Sequence, residues 1–132
     1  MNIMANNTEI NTFLRACENG DLKYVKECIE KKHSSNSTII LDISDENGNT
    51  GLQVASANNQ LQILQFLIKN HHAKINQSND CGWTSLHHAC LYGHNEIIKE
   101  LLKNGASFTM RNRLGATPLH IAVASGHIST LK

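Results

Sequence analysis

Eight histidines and four cysteines are the residues of this chain whose types can do chemistry. His87, His88, Cys90 and His94 lie close together, and His71-His72 precede them. A zinc site needs ligands converging from one face at a recognisable spacing. His87 and Cys90, at i and i+3, would converge on a helix. Repetition argues against it: His87 recurs as His120, while Cys90 becomes Val123. A ligand set that defined the unit would not dissolve in its next copy, so neither a metal nor any other cofactor is expected. His87 and His120 each stand three residues after a threonine, Thr84 or Thr117, where an imidazole can bond to the hydroxyl and nearby loop backbone. His94 and His127 follow a turn and read as caps of the next helix. His88 reads equally as a solvated residue or a partner contact.

Cys17, Cys28 and Cys90 fall in apolar-periodic stretches and read as small buried hydrophobes, whereas Cys81 sits in a turn and reads as exposed. No CxxC pair and no secretory signal occur, so the expected thiols are free and the expected compartment is cytoplasmic. No GxSxG, phosphate-binding loop, HExxH or kinase signature is present. Catalysis is therefore not expected of these residues. A net charge of +1 with mixed signs gives no footprint for nucleic acid, and no apolar run is long enough to insert in a membrane.

The elements that must position these residues repeat. Gly82, His87, Gly93 and His94 recur as Gly115, His120, Gly126 and His127, always 33 residues on. The aligned words are GWTSLHHACLYGH and GATPLHIAVASGH. A third copy, GNTGLQVASANNQ, opens at Gly48, and a weaker one, FLRACENGD, opens at Phe13. Apolar pairs follow at helical spacing: Tyr24-Val25 with Cys28-Ile29, Ile63-Leu64 with Leu67-Ile68, and Ile97-Ile98 with Leu101-Leu102. Each unit thus predicts two short helices, with turns at Asn19-Gly20, Asn58-Asn59 and Tyr92-Gly93. Thr84 and Thr117 are N-cap candidates, and Pro118 suits the first helical position. Ala55-Ser56, Ala89-Cys90 and Ala122-Val123 let neighbouring helices approach, while Leu52, Leu86 and Leu119 supply bulk. Gly48, Gly82 and Gly115 suit turns with positive φ. Leu41, Ile75 and Phe108, each seven residues before a glycine, are expected to anchor the loops. One such unit cannot bury its own apolar faces, but a stack can.

The 33-residue period with Gly-x-Thr-Pro-Leu-His, then Ala, then Gly-His resembles the ankyrin repeat over residues 13–132. The resemblance implies an all-α solenoid of stacked β-hairpin–helix–turn–helix units that bind other proteins and lack enzymatic activity. Residues 1–12 read as an N-terminal extension and 13–44 as a capping repeat with a long exit loop from His33 to Ile40. Residues 45–78 and 79–111 read as the second and third repeats, and 112–132 as a truncated fourth. The fourth copy lacks its second outer apolar pair, so the sequence reads as part of a longer chain with a sticky C-terminal face. Gly51 and Ser85 replace the proline, Gln53 the histidine and Asn59 the turn glycine, and these changes are expected to weaken the second copy's local signals. Gly48–Gln53, Gly82-Trp83 and Asn112–Ala116 further resemble ankyrin arrays that accompany sterile-alpha-motif domains in the ciliary inversin compartment. That closer resemblance implies a ciliary location. It also implies a NIMA-related kinase, inversin or sterile-alpha-motif proteins as partners.

In such a scaffold the repeat-specific residues sit on loop tips and the concave face. By register these are Glu46, Asn47 and Asn49; then Asp80, Cys81, Trp83, Leu91 and Tyr92; then Arg111, Arg113 and Leu114. Trp83, the sole tryptophan, stands where the other copies have Asn49 and Ala116. It reads either as a partner anchor or as packing on Tyr92 or a neighbouring loop. The competing function is a regulatory module of a larger enzyme, a kinase or GTPase-activating protein, with its catalytic domain beyond residue 132.

Overall fold

The computed structural model describes residues 7–31, 43–71 and 73–127. Seven helices form among the described residues: α1 (Asn7–Asn19), α2 (Leu22–Lys31), α3 (Gly51–Ala57), α4 (Leu61–His71), α5 (Ser85–Tyr92), α6 (Asn95–Lys103) and α7 (Pro118–Ala124). Helices α1, α3, α5 and α7 pack side by side as an inner row, with α2, α4 and α6 behind them. Helix α1 reaches back to Asn7, into the stretch read as an extension, and its Ile10 packs against the core.

Local chemistry starts the inner helices. Thr50, Thr84 and Thr117 are extended N-caps whose hydroxyls accept from the backbone N–H of residues 53, 87 and 120. Those residues return the bond: Gln53 Oε1 accepts from the Thr50 N–H at 3.0 Å, as His87 Nδ1 and His120 Nδ1 do from Thr84 and Thr117. Gln53 departs from the repeat's histidine in name, yet it makes the same pair of capping bonds. A primary amide carries one acceptor and one donor group, so it stands in for a neutral imidazole. Asn59 likewise takes the left-handed turn with φ of 59°, where Gly20 and Gly93 have 84° and 69°, because asparagine tolerates that region.

Ala55, Ala89 and Ala122 are fully buried in the inner row, and Leu52 and Leu86 are nearly so. Two apolar expectations need correction. Leu119 is 52% exposed and Phe108 67% exposed, so neither anchors its unit. Leu86 borders Pro118 and Leu119 of the module that follows, whereas Leu119 belongs to the last described module. Ile75 does pack against the core, and Leu41 lies outside the described residues. Phe108 and Leu119 instead border a cleft of about 250 Å³ with Cys90, Ile98, Leu102 and Pro118.

The hairpins that the family resemblance implies shrink to tight loops. Among the described residues the sole β element is a bridge between Ser44 and Thr50. Each loop closes with a backbone bond: Asp45 to Asn49, Asn79 to Trp83, and Asn112 to Ala116, at 2.8–3.0 Å. The closing residue also works through its side chain. Asp45 Oδ1 accepts from the N–H groups of Asn47 and Asn49, Asn79 Oδ1 from Cys81 and Trp83, and Asn112 Oδ1 from Leu114 and Ala116. A side chain that accepts twice leaves little need for a longer ladder.

Candidate protein-interaction site

Neighbouring loops are pinned to one another. The Asp80 N–H donates to Asn47 O and the Arg113 N–H to Cys81 O, both at 2.9 Å. Close approach depends on glycine. A Cβ on Gly48 would lie 3.0 Å from Asp80 N, and one on Gly82 would lie 3.0 Å from both Arg113 N and Asn112 Cα. Both glycines have positive φ, so a side chain there meets strain as well as collision. The three loop tips therefore form a row with a fixed backbone.

Side chains tie the modules beneath that row. Gln53 Nε2 donates to Gln77 O and, at 3.4 Å, to Trp83 O. One module later His87 Nε2 bonds Ala116 O at 2.9 Å. His87 Nδ1 must accept from the Thr84 N–H, so Nε2 carries the proton and the ring is neutral. Burial holds its pKa below the usual histidine value, against the opposing pull of the Ala116 and Met110 carbonyls. At the far end of the inner helices, His94 Nε2 bonds Ala57 O at 3.0 Å and makes no cap to its own helix. This corrects the expectation for His94. Gln60, its counterpart, reaches Glu18 O at 3.0 Å in the same way. Both side chains close the preceding inner helix, whose last carbonyls lack partners. The helix that His127 would cap lies outside the described residues.

His88 behaves differently from its neighbour. Its side chain is half-buried, and its Nε2 is covered without a hydrogen-bond partner. Burial, then the nearby His87, pushes its pKa down to about 4, against the opposing charge of Asp45. The Trp83 ring lies over this pair, 5.4 Å from the His88 ring and 5.7 Å from His87. Trp83 thus packs on the two histidines and not, as one expectation had it, on Tyr92. Tyr92 stacks on His94 at 5.8 Å, about 12 Å away along the eight residues of α5.

The structure brings the expected loop residues together and leaves the helix-end pair apart. Glu46, Asn47, Asp80, Cys81, Arg111, Arg113 and Leu114 are exposed along the loop row. Asn49 is half-buried and holds Asp45 and Asn79. Leu91 and Tyr92 sit at the opposite end of α5. Sequence reasoning missed Asn79 and Asn112, which organise the loops. Their signal was visible: Asp45, Asn79 and Asn112 all stand three residues before the loop glycine.

Chemically reactive groups do not assemble here. Among the described residues no three His, Cys, Asp or Glu side chains converge to hold a metal. Burial raises Cys17 to about 12 and Cys90 to about 11, so both stay protonated and make poor nucleophiles. No described helix is long and apolar enough to cross a membrane.

Comparison with known proteins gives the same architecture. Models of ankyrin repeats match residues 13–68 and 52–132. Human SMC5-SMC6 complex localization factor protein 1 is 37% identical over 82 residues, 61% of this chain and 8% of that protein. Palmitoyltransferase AKR1 of Lachancea kluyveri is 36% identical over 115 residues, 86% of this chain and 15% of that protein. The rat ankyrin repeat and SAM domain-containing protein 6 is 30% identical over 108 residues, 82% of this chain and 12% of that protein. The chain thus spans only 8–15% of the length of these relatives.

Proposed function

We propose that this chain, which belongs to the ankyrin-repeat family, is a non-catalytic module that binds a protein partner through its loop tips and concave face. One observation carries the reading. The residues common to the repeats are consumed in internal bonds, and those that vary are exposed, or half-buried in the case of Asn49 and Trp83, on loops whose backbones are pinned. Glu46, Asn47 and Asn49, then Asp80, Cys81 and Trp83, then Arg111, Arg113 and Leu114 are the contact residues, with Leu91 and Tyr92 on the inner face. Rigid loops lose little entropy when a partner docks. The test is affinity capture with the chain and two substituted forms, followed by identification of the retained proteins. Alanine at Glu46, Asp80, Arg113 and Leu114 abolishes retention of a specific partner; alanine at Lys99 and Lys103 on α6 preserves it. Equal retention by both forms refutes the reading.

A finer reading follows the relative that carries a SAM domain. Its match covers 82% of this chain, and the words Gly48–Gln53, Gly82-Trp83 and Asn112–Ala116 resemble such arrays. On that reading the array is of the samcystin type and the chain is ciliary, with a NIMA-related kinase, inversin or sterile-alpha-motif proteins as partners. The alternative is a regulatory module within a larger enzyme, as the similarity to a palmitoyltransferase suggests. A full-length transcript separates them: a sterile-alpha-motif domain downstream supports the first, and a catalytic domain supports the second.

A further inference from the structure

At the junction of the first and second loops of the row, Asn79 Nδ2 donates to Asn49 Oδ1 at 2.9 Å. At the next junction the register places Asn112 opposite position 83, and position 83 is tryptophan. Asn112 Oδ1 is occupied by the N–H groups of Leu114 and Ala116, which fixes the amide with Nδ2 on the side away from those two groups. Asn112 is only 6% exposed, and its Nδ2 has no hydrogen-bond partner. The replacement of Asn by Trp therefore costs a buried bond at a single point in the row. A local rule broken without internal compensation points to function.

The surroundings define what would satisfy that donor. Arg113 is exposed, and its guanidinium has no partner among the described residues. Arg111 stands two residues away, with Nη1 held on Gly115 O at 2.8 Å. Leu114 is 92% exposed beside them. An unpaired donor, two guanidinium groups and two apolar platforms, Trp83 and Leu114, are thus gathered at one loop junction. Of the acidic residues of the row, Glu46 lies on the loop before it, and Asp80, on the same loop as Trp83, has its carboxylate beside Gly48 of that preceding loop.

We infer that this junction docks an acidic peptide segment of a protein partner, deepening the reading of the loop row on which it rests. A carboxylate of the segment pairs with Arg113, where planar bidentate geometry is available. A neighbouring apolar side chain lies on Trp83 and Leu114. A peptide oxygen accepts from Asn112 Nδ2. That nitrogen is covered in the free chain, so Trp83 shifts when the segment docks.

The test is selection of random-sequence peptides from a display library on the 132-residue chain, followed by resynthesis of the recovered peptides. Because Trp83 is the sole tryptophan, its fluorescence reports docking directly. The expected peptides carry Asp or Glu next to an apolar residue, and added salt weakens their binding. Arg113→Glu, at an exposed site that leaves the fold intact, reverses the charge preference. Trp83→Asn supplies Asn112 with the acceptor that Asn49 gives Asn79, and it weakens binding about tenfold or more as the platform is lost, read by peptide-label polarisation. Recovered peptides that are neutral or basic overturn the inference, as does acidic-peptide binding unchanged by both substitutions. Peptides lost only on substitution of Glu46 or Asp80 overturn it while leaving the loop-row reading intact. A library from which nothing depends on any tip residue overturns both.

Discussion

Replacing His88 with leucine stabilises the protein, and the gain grows as the pH falls. The positions equivalent to His88 in the flanking modules are Val54 and Ile121, which pack against the core. His88 Nε2 is covered and unpartnered. An unsatisfied buried polar atom costs about 1–3 kcal/mol, and an apolar side chain of similar size removes that cost. A second contribution comes from proton uptake. The unfolded imidazole gains its proton near 6.5, whereas the folded one gains it only near 4. The unfolded chain thus binds more protons between those values, and stability falls as acid is added. The parent loses nothing from this group above 6.5, loses stability through the interval, and is short by about 3 kcal/mol once both states are protonated. At about pH 5 the parent's loss is already roughly 2 kcal/mol. His87, whose pKa is also lowered, adds a dependence of the same sign to both proteins. Urea denaturation followed by far-ultraviolet circular dichroism, at about pH 8 and about pH 5, measures both contributions. His88→Leu should exceed the parent by about 1–3 kcal/mol at the higher pH and by roughly 2 kcal/mol more at the lower. A less stable variant at the higher pH, or identical losses on acidification, would refute the reasoning.

Other substitutions probe the frame of the loops. Gly82→Ala costs more than Gly115→Ala: both have φ near 80°, but an added Cβ on Gly82 meets Asn112 and Arg113 backbone while one on Gly115 meets nothing. The φ penalty common to both is about 1 kcal/mol, and the excess, read from denaturant midpoints, measures how tightly the loops are packed. Gln53→His is tolerated within about 1 kcal/mol, while Gln53→Leu orphans the Thr50 N–H and loses about 2–4 kcal/mol by the same assay. Trp83→Asn is more stable than Trp83→Ala by about 1 kcal/mol, since asparagine alone returns a bond to Asn112; a double-mutant cycle with Asn112→Asp assigns the gain to that pair.

The stack was legible because its signals are local and repeated. A glycine 33 residues from its counterpart, a threonine before a leucine and paired apolar residues at helical spacing each announce a step of the same module. The threonine–histidine bonds were equally readable, since they span three residues. What escaped needs two modules at once. Nothing in the word Leu86-His87-His88 says that one imidazole finds a carbonyl 29 residues on while its neighbour finds none. Gln53 looked like a departure because residue names were compared, although its donor and acceptor groups match those of histidine. Phe108 misled because apolar type was taken for burial, and burial depends on which module comes next. The clustering of Tyr92 with Trp83 failed for a simpler reason: eight helical residues separate them along the axis, whatever their position in the repeat.

The claim on which the rest stands is that the loop tips are held in one rigid row by backbone bonds between modules. Amide hydrogen exchange measured by nuclear magnetic resonance tests it directly. The Asp80 and Arg113 N–H groups, at exposed tip residues but bonded to Asn47 O and Cys81 O, should exchange slowly, with protection comparable to that of the inner helices. Exchange of both at the rate of an unstructured peptide, while α3 and α5 remain protected, would contradict it.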